Sequence, residues 1–227
     1  MSGRLASFKG PSTPTSSPVQ LRQPSTPSSP LRSTESTYHR KVRTILQELR
    51  TATENWDDIV IINGSKSARS LVDARTELDN DLTMVPAGTQ PQYRLVEPKL
   101  SLMEKRISEL DTVIVKLKKQ FQRMNALIDS LENLLFDAQK TKGLQFVQDP
   151  LWYTWSLEKF DILHPYHRSL QMHIEIVDIL RSHSVSFEAS RDAIARWVAQ
   201  AYLEEGGWDA QWEDLCEAEI ERWNSAN

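Results

Sequence analysis

Four hydroxyl residues near the start of the chain stand directly before proline: Thr13, Ser17, Thr26 and Ser29. That dipeptide in an extended chain is what proline-directed kinases read. Ser29-Pro30-Leu31-Arg32 adds a basic residue three after the serine, the fuller pattern of cyclin-dependent kinases. Each phosphate adds about two negative charges. Residues 1–37 carry a net +3, so several phosphates would reverse the sign of this segment. Other reactive types are sparse. His164 and His167 stand three apart with Asp161 and His173 near. Metal sites can use that spacing, but Pro165 falls between them and neither a Cys nor a second carboxylate completes a set, so packing and surface roles are expected. Cys216, the sole cysteine, sits among acidic neighbours that raise its pKa and blunt its nucleophilicity. Acidic pairs such as Asp57-Asp58 and Glu204-Glu205 read as solvated helix faces. There is no glycine-rich phosphate loop and no nucleophile elbow. No catalytic residue, metal ligand or cofactor is assigned, and a non-enzyme is expected.

Tryptophan is the other anomaly. Six of seven follow residue 150, two of them framing Trp152-Tyr153-Thr154-Trp155. Indoles are enriched at interface hot spots because they bury a large area and keep a polar N–H. Trp197 lies on an apolar stripe and reads as core. Trp208, Trp212 and Trp223 lie among acidic residues and read as either core or partner-facing. Residues 204–227 carry eight acidic groups against Arg222 alone, a field that steers a basic partner unless it is simply solvated.

The elements that must position these residues are helical. Tyr38, Val42, Ile45, Leu49, Ala52, Trp56 and Ile59 keep a 3,4 spacing, a coiled-coil-like seam. The register then moves by two residues, through Ile61, Ala68, Leu71, Leu78 and Leu82, and a kink or break is expected at Asn63-Gly64. Residues 84–98, with Pro86, Gly88, Pro91 and Pro98, mark a loop. From Leu100 to Ala138 twelve apolar residues occupy twelve seam positions, a helix of roughly 44 residues, about 66 Å long. Leu127 and Leu134 widen its stripe, which calls for more than one partner helix. The two arms are of similar length, so antiparallel pairing within the chain is favoured over a parallel homodimer. Beyond Gly143, an aromatic connector precedes a helix capped by Ser156 and running to about Ser182, with a kink or a restart at Pro165. A helix over 188–204 follows, with Ile194, Trp197, Val198, Ala201 and Tyr202 on its stripe, and then a last acidic helix after Gly206-Gly207. No segment shows the alternation of a strand.

Composition agrees with this division. The chain has 227 residues, 39% hydrophobic and 26% charged, with six of its 11 prolines in the first 30 positions. Residues 11–37 contain 13 Ser or Thr and cannot bury enough surface to offset the entropy of ordering them. The expectation is an all-α protein: a disordered Ser/Thr/Pro-rich tail at 1–37, a long antiparallel helical hairpin at 38–142 and a C-terminal helical cap at 143–227. A single cysteine forbids an intrachain disulfide and suits a reducing compartment. No apolar run approaches the roughly 20 residues that span a bilayer, and the first ten residues lack the apolar core of a signal peptide, so neither membrane nor secretion is expected. A net charge of -4 argues against nucleic acid as a direct partner.

Three segments together resemble the cyclin-dependent kinase 2-interacting protein family. They are Asn55-Trp56 with the apolar run that follows; Pro150-Leu151, Thr154-Trp155 and Phe160, similar to that family's P-L-x-x-T-W signature and following aromatic; and Trp197-Val198, Gln200 and Tyr202-Leu203-Glu204, similar to W-L-x-Q-P-Y-V-E. Ala201 stands where the family pattern has proline. The resemblance implies a nuclear, non-catalytic adaptor of cell-cycle control, DNA replication, DNA repair and checkpoint signalling. Its implied partners are cyclin-dependent kinase, replication and checkpoint kinase complexes and a AAA ATPase assembly, joined as a monomer within a hetero-complex. Trp56, Pro150, Leu151, Trp155, Phe160, Trp197 and Tyr202 would be the partner-binding residues. The alternative from the seam alone is a structural coiled-coil subunit of a kinetochore or tethering complex.

Overall fold

The side chain of Ser36 accepts the His39 backbone N–H at 3.2 Å and so caps the first helix, α1 (Thr37–Asp57). This computed structural model describes residues 36–143, 162–182, 184–204 and 207–224, without the side chains of residues 208, 209, 219 and 222–224. Among the described residues the chain is all-α. Along α1 the buried stripe runs through Val42, Leu46, Leu49, Ala52 and Trp56. Leu46 rather than Ile45 lies deepest, because a straight helix of 3.6 residues per turn drifts off a strict heptad seam.

Neither a break nor a sharp stop occurs at Asn63-Gly64. Asp58–Gly64 form a π-helical stretch that leads directly into α2 (Ser65–Thr83). Gly64 keeps helical angles, φ -68° and ψ -49°, and the Ser65 N–H donates to the Val60 carbonyl five residues back. The wider turn absorbs the register change: Trp56, Val60, Gly64 and Ala68 are buried at intervals of four. Ile61 therefore is not a seam residue. It and Ile62 are 54% and 60% exposed.

A turn containing Gly88, whose φ is +82°, reverses the chain. The second arm, α3 (Tyr93–Lys142), has 50 residues, about 75 Å at 1.5 Å per residue. It begins earlier than expected, with Pro98 inside it. Proline there forfeits one bond, to the Arg94 carbonyl, near an end where bonds are already missing. The packing of Val96, Leu102 and Met103 on the core and an ion pair between Lys99 and Glu77 of α2 offset that loss. Eleven of the twelve expected seam residues are buried or half-buried, and Leu100 is the exception.

The arms pair antiparallel within one chain, as Ser67 with Glu109, Ser70 with Arg106 and Glu77 with Lys99 demonstrate. The widened stripe of α3 also packs against α4 (Leu163–Arg181). Pro165 sits in the first turn of α4, a restart rather than a kink. Phe121 meets His167, and Asp111 pairs with Arg181 at 2.6 Å, so α4 runs antiparallel to α3. The cap continues with α5 (Phe187–Ala199), whose N-cap Ser186 accepts from Ala189, then the short α6 (Ala201–Glu204) and α7 (Trp208–Asn224). The expected helix over 188–204 is interrupted because Gln200 turns left-handed, φ 41° and ψ 40°. Two of these helices pack on the first arm: α5 on α2, and α7 on α1, where Glu213 pairs with Arg50 at 2.7 Å.

Replacing Pro98 by Ala restores one helical hydrogen bond and removes the ring's clash, so Pro98→Ala raises stability by about 1 kcal/mol. Urea unfolding followed by circular dichroism reads the change; an unchanged or lower midpoint would contradict the cost assigned to this residue.

Candidate functional site

Two of the three motif segments meet. Trp197 comes from the last turn of α5, where Ser190 and Ala193 share its buried stripe. Its indole N–H donates to the Val60 carbonyl at 3.0 Å, inside the protein. That carbonyl also accepts the Ser65 N–H, so both of its lone pairs are used. Gly64 provides the space. A Cβ on Gly64 would lie 2.2 Å from Cζ2 of Trp197. Next to this contact, Gln200 Nε2 donates to Asp57 Oδ1 at 3.2 Å. The segment starting at Asn55-Trp56 and the segment starting at Trp197 are thus one packing unit.

The helix α4 completes the unit from the other side. Tyr166 meets Trp56 edge-on at 5.1 Å between ring centroids, and His173 meets Trp197 edge-on at 4.5 Å. His173 Nδ1 lies 2.7 Å from the Ser169 carbonyl, to which its N–H donates, while among the described residues no group meets hydrogen-bonding geometry at Nε2. Burial pushes this imidazole below its ordinary pKa; the Ser169 carbonyl and the Trp197 backbone offset part of the shift. Within the third segment, the half-buried Tyr202 ring has the Arg168 guanidinium 4.1 Å from its centroid, a cation–π contact.

Trp56 and Trp197 are both 0% exposed: Trp197 is core, as its stripe implied, and neither of these two rings, which the resemblance marks as partner-binding, reaches the surface. They are sealed because α4 and the first arm close on them, and a partner meeting this fold meets the residues around them. Tyr202 retains an accessible edge. Trp212, left open between core and surface, is buried at 2%. Val198 and Ala201 do not join the stripe; they are exposed, because the chain turns at Gln200. Pro150, Leu151, Trp155, Phe160, the Ser156 cap, Thr13, Ser17, Thr26 and Ser29 lie outside the described residues, as do the side chains of Trp208 and Trp223.

His164 and His167 are exposed, His167 against Phe121, and among the described residues no three His, Cys, Asp or Glu could hold a metal ion. Cys216 is buried and its thiol is pushed up to about 12, by burial first and the Glu213 carboxylate second. Sequence reasoning missed Val60 and Arg75, and read Gly64 only as the site of a kink or break. Arg75 is 5% exposed in the stripe of α2 and donates to the Leu180 carbonyl at 2.6 Å and to Ser190 Oγ at 3.2 Å. Its signal was available: an arginine between Leu71 and Leu78 occupies an apolar position. No protein-family model matches this chain, and no curated protein matches it.

Gly→Ala within a helix ordinarily stabilises by about 1 kcal/mol. At Gly64 the sign reverses: the added methyl overlaps a locked indole, and Gly64→Ala destabilises by about 1–3 kcal/mol. Thermal unfolding of the two proteins checks this, and a stabilised variant would refute the lock. A second expectation concerns pH. The depressed pKa of His173 means that the unfolded chain takes up the proton first, so stability is full above the unfolded value of about 6.5 and falls as pH drops below it. His173→Gln flattens this limb, measured as the difference between the two proteins' unfolding midpoints from pH 7.5 to pH 5.

Proposed function

We propose that this protein is a non-catalytic adaptor in cell-cycle control, DNA replication, DNA repair and checkpoint signalling. In this reading it is nuclear and joins cyclin-dependent kinase or related replication and checkpoint kinase complexes, with a AAA ATPase assembly as a further partner. The observation that carries the reading is the union of the first and third motif segments. Residues 141 positions apart, Trp56 and Trp197, belong to one core, and Asp57 bonds Gln200. Motifs that resemble a family and also hold one another in place support a shared design more strongly than short matches scattered on a surface. The long arms offer an extended face, as docking proteins need.

In this reading Trp56 and Trp197 shape the binding unit from within, and Tyr202 with Pro150, Leu151, Trp155 and Phe160 supplies its contacts. Thr13, Ser17, Thr26 and Ser29 report kinase state by reversing the charge of the tail. The antiparallel hairpin within one chain weighs against the parallel-dimer version of the coiled-coil alternative.

Two substitutions, Trp155→Ala and Phe160→Ala, should remove kinase-complex partners from proximity labelling in the native cell while leaving the unfolding midpoint within a degree or two. Labelling that enriches kinetochore or tethering components instead, or a partner set indifferent to both substitutions, would sink the adaptor reading.

A further inference from the structure

One side of α3 is a slot that α4 fills only in part. Where Asp111 pairs with Arg181 at 2.6 Å and Phe121 meets His167, α4 lies along it. Arg181 is the last residue of α4; Ser182 is extended, and the chain departs to α5, which packs on α2. From Asp111 the helix α3 reaches back to Tyr93, about 27 Å further. At about 100° per residue, Tyr93, Glu97, Leu100 and Glu104 lie within about 40° of the direction of Asp111, so they continue the side that faces α4. Nothing covers them among the described residues: Tyr93 is 76% exposed, Leu100 is 37% exposed, and both carboxylates are exposed. Leu100, the seam residue left at the surface, stands where the slot runs past the end of α4.

The uncovered stretch has a shape and a charge. Tyr93, Val96, Glu97, Leu100, Ser101 and Glu104 line one groove of about 340 Å³. Three of these residues are apolar, two are carboxylates and none is a cation. The other charged residues from Tyr93 to Asp111 are engaged elsewhere or stand aside. Lys99 pairs with Glu77, Arg106 with Glu109, and Asp111 with Arg181. Arg94 and Lys105 stand about 100° and 120° round the helix from Tyr93, so they flank the groove without lining it. Among the described residues, neither Glu97 nor Glu104 has a cation within ion-pair distance. The groove thus sets exposed apolar side chains beside two uncommitted carboxylates.

We infer that this face docks a basic amphipathic helix of a partner protein in line with α4, its apolar side chains on Tyr93, Val96 and Leu100 and its lysines or arginines on Glu97 and Glu104. The slot already receives one helix, and about three turns of it stay open beyond Arg181, which is the length a helix-in-groove contact uses. Two unpaired carboxylates choose the charge of the occupant. A second copy presenting the same groove would add two more carboxylates and no lining cation. The inference rests on the adaptor reading only in requiring a partner, and it is independent of the Trp155 and Phe160 motif.

Selection of a random 16-residue peptide library tests this without a cellular partner, run in parallel on the full chain and on its Glu97→Lys, Glu104→Lys double variant. Peptides enriched on the full chain alone carry apolar residues at helical spacing with Lys or Arg beside them. In fluorescence anisotropy, one such peptide binds the double variant about tenfold or more weakly, and so it does Leu100→Lys, at unchanged unfolding midpoints. The same peptide with its basic residues changed to Glu regains affinity for the double variant. If Leu100→Lys lowers the midpoint, the exposed glutamate pair and this charge reversal decide alone. Selection without basic enrichment, or binding indifferent to the glutamate pair, overturns the proposal. So does a concentration-dependent dimer that Leu100→Lys dissociates in light scattering, which would assign the face to a second copy. If proximity labelling finds no kinase partners while the peptide still binds through Glu97 and Glu104, the surface stands and the adaptor's assigned pathway falls; the reverse result leaves that pathway and removes the surface.

Discussion

A buried indole keeps one N–H that is costly to leave unpaired, and for Trp197 the acceptor is a backbone carbonyl inside a helix. Leaving it unpaired would cost about 1–3 kcal/mol. The contact demands two things of the first arm. A carbonyl must be reachable, which the wide turn at Asp58–Gly64 arranges, and no side chain may stand in the ring's path, which Gly64 ensures. Both demands fall on the same seven residues. The π-helical stretch, the glycine and the outward isoleucines are therefore one feature with one cause. Trp56 provides the contrast: its Nε1 is buried with no hydrogen-bond partner among the described residues, and its ring packs edge-on against Tyr166.

The parts of the fold governed by local periodicity were legible in the sequence. The twelve-position seam of α3, a kink or restart at Pro165 and the antiparallel return within the chain follow from spacing, proline geometry and arm length. The parts that depend on distant partners were not. The offset after Ile59 signalled an irregularity, but only Trp197, 137 residues beyond Val60, decides that the helix widens rather than breaks. Pro98 read as loop because its intrinsic cost is large, and packing of its neighbours outweighs that cost. Gln200 read as helix because nothing local forbids it.

The candidate site divides along the same line. The family resemblance singled out Trp56, Trp197 and Tyr202, and it did not say that the two indoles are core. Size and polarity make tryptophan suitable for either an interface or a thin core, and the described helices pack along a 50-residue helix. Each level of such a structure has few residues to fill its interior. Large rings that bridge α1, α4 and α5 fill it with the fewest side chains, which draws the motif tryptophans inward.

Buried polar groups then set how the cap sits on the hairpin. Arg75 donates to the Leu180 carbonyl, one of the last carbonyls of α4, where helical partners run out and a cation is favoured. It also reaches Ser190 in the first turn of α5, so one guanidinium joins the end of one helix to the start of the next. Trp197 lies seven residues further along α5, about 10 Å away, and is fixed to Val60. An apolar stripe alone would tolerate sliding by a turn. Two directional contacts at opposite ends of α5 do not, because any slip strands the buried guanidinium and the indole N–H together. Ile61, Ile62 and Lys66 of the first arm stay exposed, outside the core that this placement of the cap closes.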